Sequence, residues 1–65
     1  MLDEALVMLK DLQNGEKIPE SEISEKVDEL ASRAKELERE CELSHLEAYE
    51  MKECWRIVSA LEEYL

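Results

Sequence analysis

An all-α fold is predicted by three features of the sequence. Apolar residues recur every three or four positions along most of the chain, and the helix formers Ala, Leu, Glu and Lys dominate. The single Gly and the single Pro stand close together, at Gly15 and Pro19, where one helix can end and the next begin. The expected arrangement is a short N-terminal helix followed by a long antiparallel helical hairpin, three helices within one small domain spanning residues 1–65. Two such chains are expected to assemble into a homodimeric helical bundle.

The first helix is expected over about residues 2–14. Leu2, Ala5, Leu6, Leu9 and Leu12 repeat at helical spacing, Val7 and Met8 widen the face, and Asp3 and Glu4 suit the positive end of the helix. Asn14-Gly15 closes it, because Gly15 can take the left-handed conformation, and Ile18 can then fold back on the last turn.

The second helix is expected over about residues 20–43, starting between Pro19 and Ser21, since proline is tolerated in a first turn. Its apolar residues Ile23, Val27, Leu30, Ala34, Leu37 and Cys41 form a seam of about 80° of arc, closer to the strip of a coiled coil than to the stripe of an ordinary globular helix. A helix of this kind has to lie in a groove made by others.

Near residue 43 the chain can turn back or run on. The competing architecture is a short helix followed by one long coiled-coil helix, its heptad extended through Ser44, Ala48, Met51, Trp55 and Val58. Three observations favour the turn. Ser44-x-x-Glu47 is a capping box, and Leu43 with Ala48 can staple that helix start. Leu43 lies off the seam. Over about residues 45–64 the apolar residues spread across an arc of roughly 200° whose centre is displaced from the seam, a shift that one straight helix would not need.

Helix lengths carry the functional expectation. At 1.5 Å per residue the first helix is about 18 Å long and each hairpin arm about 30–35 Å, so the first helix cannot cover the whole hairpin. The far end, lined by Ala34, Leu37, Cys41, Leu46, Ala48 and Met51 with Trp55 beside them, is expected to be bare and to receive the second molecule. Trp55, Tyr49 and Tyr64 are the aromatics able to anchor a partner, although Trp55 at the edge of an apolar arc is more often core. Tyr49 stands on the polar face.

Composition narrows the function classes. In 65 residues, 18 acidic side chains against 8 basic ones give a net charge of −10, which opposes direct binding to nucleic acid or to an anionic membrane surface. No apolar run approaches the ~20 residues of a membrane span, and Met1-Leu2-Asp3-Glu4 lacks the basic start of a signal peptide, so a cytoplasmic location with reduced Cys41 and Cys54 is expected. Cys41-x3-His45-x8-Cys54 offers one ligand pair interrupted by the Ser44 cap, which does not make a zinc pattern. Glu50 and Glu62 lie three turns apart, and no phosphate loop or nucleophile elbow is present. No cofactor, metal or enzyme activity is expected.

The functional expectation is therefore a regulatory protein that binds stoichiometrically, as a homodimer that meets a second protein. One alternative is an acidic mimic of nucleic acid, of the phage-inhibitor type, presenting Glu25, Asp28, Glu29, Glu36, Glu40 and Glu47. Another is an accessory small subunit of a larger enzyme.

Overall fold

The computed structural model describes residues 2–65, which form three α-helices and, among the described residues, no strand. They are α1 (Leu2–Gln13), α2 (Glu20–Glu38) and α3 (His45–Glu62). Asp3 and Glu4 occupy the first turn of α1 and Lys10 its last, each at the end its charge favours. The helix closes with a Schellman motif: the Gly15 N–H donates to Leu12 O at 3.1 Å and the Glu16 N–H to Asp11 O at 2.9 Å. Gly15 carries a φ of +88°, the conformation expected of it, and Ile18 packs back on the core.

Pro19 supplies the carbonyl that opens α2, accepting from the Glu22 N–H at 3.0 Å, and Glu20 and Glu22 fill the first turn. At its other end α2 stops at Glu38, a turn earlier than the seam predicts. The reason is the start of α3. Ser44 accepts from the Glu47 backbone N–H through Oγ at 3.1 Å, and the Ser44 N–H donates to Glu47 Oε1 at 3.3 Å, completing the capping box. A chain that enters a new helix at that cap has to leave the preceding one first, and residues 39–44 do so. The alternative of one long coiled-coil helix is thereby overturned. Cys41 is displaced with it: it lies outside any helix, exposed, and no longer on a seam.

The core is built chiefly between α2 and α3. Ile23, Leu30 and Ala34 meet Cys54, Ile57, Val58 and Leu61, α1 adds Ala5 and Leu9, and Leu37 is buried apart from this cluster. Val27, Met51 and Trp55 pack on its margin. Among the described residues no polar or charged side chain is buried, so the interior carries no desolvated group that needs a partner. The Lys26 ammonium reaches Glu4 at 3.1 Å and Glu29 at 3.2 Å, tying α1 to the first half of α2. The fold measures 39 × 18 × 16 Å. No described helix is long and apolar enough to cross a membrane.

Candidate docking face at the start of α3

The capping box fixes the first turn of α3, and that turn presents apolar surface to solvent. Leu46 is 82% exposed and Tyr49, one turn on, is 63% exposed. At 100° per residue they sit about 80° and 140° from the line through Cys54, on one flank of the helix. A leucine held this open on a rigid turn gains nothing for folding, since it removes almost no apolar area from water.

Polar groups frame the pair. Arg33 on α2 grips Glu50 through Nε at 3.1 Å and Nη2 at 3.3 Å, a fork that holds the two helices together beside Leu46. Arg56 closes on Glu53 at 2.6 Å, and the guanidinium holds that carboxyl below its usual range. Between the end of α2 and the cap stand two acidic residues, Glu40, which is exposed, and Glu47, which is half-buried. The Ser44 backbone N–H, and then Glu40, lower the Glu47 carboxyl; Glu47 in turn raises that of Glu40. The charge of Arg33, which is held by Glu50, lowers both carboxyl groups as a smaller effect.

The residues expected to form the bare end divide into three groups. Ala34 and Leu37 are completely buried within their own chain, which corrects the expectation that this half of the seam lies uncovered. Ala34 is covered within the core cluster that α2 shares with α3. Cys41 is exposed but detached from any apolar strip. Ala48, Met51 and Trp55 are half-buried, and the Trp55 indole N–H donates to Glu38 at 3.0 Å, so that ring bridges α3 to α2. Leu46 alone among those residues is an open apolar side chain, and its neighbour is Tyr49, which sequence reasoning set on the polar face. An aromatic at i+3 from a leucine that also leaves the core was the available signal.

The acidic residues are arranged less favourably for mimicry of nucleic acid. Glu25, Asp28, Glu29, Glu36 and Glu40 are exposed and Glu47 is half-buried. Cations interrupt them, however: Lys26 holds Glu29, and Arg33 approaches Glu36 at 3.7 Å within a shallow open groove that also borders Asp28 and Ser32. As for catalysis, burial first and the Glu50 charge second push the Cys54 thiol up, which makes it a poor nucleophile. Among the described residues no three His, Cys, Asp or Glu side chains are grouped to hold a metal ion.

Comparison with protein-family models, curated proteins and solved structures finds no match to this chain.

Proposed function

We propose that this chain is a non-enzymatic interaction protein that acts by stoichiometric binding, through the Leu46–Tyr49 face at the start of α3. In this reading α2 and α3 form an antiparallel hairpin, braced at one end by α1, and the opposite end meets the partner. The observation that carries it is the placement of the most exposed large apolar side chain, Leu46, on the most firmly capped turn of the fold. A rigid element presenting an apolar anchor loses little conformational entropy on binding. The hairpin is supported by the short connection, residues 39–44, between two helices that share one core, since helices joined this closely pack as antiparallel neighbours.

The test is affinity capture from an extract of the cells that encode the chain, comparing wild type with Leu46→Ser/Tyr49→Ser. A protein retained in equimolar amount by wild type and lost by the double variant, with an unchanged melting curve, is the expected result. Retention that ignores the double substitution overturns the reading.

A further inference from the structure

The heptad line of α2 does not stop where α2 stops. From Ile23 to Leu37 it steps by 4 and 3, and it continues without a break through Cys41, Ser44, Ala48, Met51 and Trp55 to Val58. The connection that it crosses, residues 39–44, contains neither Gly nor Pro. Within the single chain α3 buries a line centred elsewhere, on Cys54, Ile57, Val58 and Leu61, and leaves Ala48, Met51 and Trp55 half-buried. The register is thus more than the closed chain uses. A lone chain gains nothing from it, since α2 and α3 run together as one helix would leave the buried apolar residues of both without cover.

Two chains can use it. We propose that a second copy of this chain exchanges α3: the connection straightens into helix, and α2 of each chain packs on α3 of the other. The exchange takes the hairpin proposed above as its starting shape and is separate from the Leu46–Tyr49 face. Each core residue keeps its neighbours, now supplied in trans, and among the described residues parting α2 from its own α3 strands no buried polar side chain. The closed form holds the two capping-box hydrogen bonds of Ser44 and Glu47; the exchanged form gives them up for helical backbone bonds across the connection. A heptad helix supercoils by about 20° per seven residues, which takes up much of the displacement between the apolar faces of α2 and α3. With the core contacts common to both forms, the cap and the protein concentration set the balance.

The fork between Arg33 and Glu50 reports which chain supplies each partner. Arg33→Glu alone and Glu50→Arg alone set like charges together in every closed chain and in every pair of identical chains. In an exchanged pair made of one chain of each, the introduced glutamate meets the introduced arginine and the native Arg33 meets the native Glu50. Refolded together from urea and followed by sedimentation, the mixture is expected to dimerise about ten-fold more tightly than either variant alone, two restored ion pairs together being worth about one decade. Arg33→Glu/Glu50→Arg in one chain restores the pair within that chain and should behave as wild type. Ser44→Ala removes the cap and favours helix, so it should tighten dimerisation about 30-fold, one cap being lost from each of two closed chains. Cys41→Gly/Glu42→Gly lies in the exposed connection and should weaken dimerisation about ten-fold or more, because glycine opposes helix there.

A mixture that associates no more than its separate components overturns the exchange, as does a Ser44→Ala variant no more dimeric than wild type. Loss of the mixed dimer when Leu46→Ser/Tyr49→Ser is added to both chains also overturns it, because the association would then belong to the docking face. A mixed dimer that persists under those substitutions supports the exchange, whatever the capture experiment says of the face.

Discussion

Leu37 and Leu46 lie nine residues apart on the two sides of the turn, and the fold assigns them opposite work. Leu37 is fully buried and Leu46 is 82% exposed. Truncating a fully enclosed leucine to alanine costs about 2–5 kcal/mol, from lost transfer free energy and the cavity left behind. Leu37 sits in the last turn of α2, apart from the largest continuous cluster of core residues, where the chain can relax into part of that cavity. A cost of about 2–3 kcal/mol is expected for Leu37→Ala. A fold of this length has about 3–10 kcal/mol to lose, so the melting temperature should drop by about 10–20 °C. Leu46→Ala should stay within about 0.5 kcal/mol of wild type. The assay is urea denaturation followed by helical circular dichroism, repeated at a ten-fold higher protein concentration. If Leu37 instead served an intermolecular seam, Leu37→Ala would leave the dilute protein unchanged and lose only the concentration dependence of the midpoint. That outcome, or a Leu46→Ala variant as unstable as Leu37→Ala, refutes the assignment.

Three further outcomes are expected. Ser44→Ala should cost about 1 kcal/mol through loss of the cap, whereas Glu47→Gln should cost little, and the comparison of their denaturation midpoints checks the capping box. Iodoacetamide followed by mass spectrometry should label exposed Cys41 promptly and buried Cys54 only on unfolding, and equal rates would contradict the early end of α2. The carboxyl pair makes a signed prediction in acid. Glu47, lowered on folding, stabilises fully above the ordinary carboxylate range, and its contribution is lost as pH falls through its lowered value. Glu40, raised on folding, works oppositely: stability increases as pH falls through its raised value. Glu40→Gln should remove the rise at higher pH and Glu47→Gln the fall at lower pH, read as midpoints across an acid series.

Local chemistry made much of the architecture legible. Gly15, Pro19 and the Ser44-x-x-Glu47 box each act through backbone hydrogen bonds within a few residues, so the start of α3 and both ends of the α1–α2 connection could be placed from the sequence. The end of α2 could not. Arg39, Glu40, Cys41, Glu42 and Leu43 include none of the residues that turns favour, and helix periodicity runs through them to Cys41. What marks the end is the next start: the chain leaves helical geometry over residues 39–44 before the Ser44 cap. The same limit governs the candidate site. A seam at spacing 4 and 3 marks side chains that need cover, without saying whether the cover is the same chain or another. Ala34 and Leu37 belonged to the first case. Tyr49 was legible as a candidate anchor on the polar face, but its pairing with Leu46 was not, because wheel position does not say which apolar residue leaves the core beside it.

The bare flank of α3 has a geometrical origin. With 12 residues, α1 is about 18 Å long, while the 18 residues of α3 span about 27 Å. The shortfall of about 9 Å is six residues of helix, the length of the stretch from His45 to Glu50 that carries Leu46 and Tyr49. α1 packs on α3, and the ion pair of Glu4 with Lys26 sets it along the first half of α2. On the same flank as Leu46, Ala60 is partly buried against the core. One side of a single helix is therefore enclosed toward its C-terminus and open at its N-terminus. A leucine costs nothing to keep at the closed end and gains nothing at the open end. Its presence at the open end, with the first turn held by two hydrogen bonds, is what the proposed docking role accounts for and folding does not.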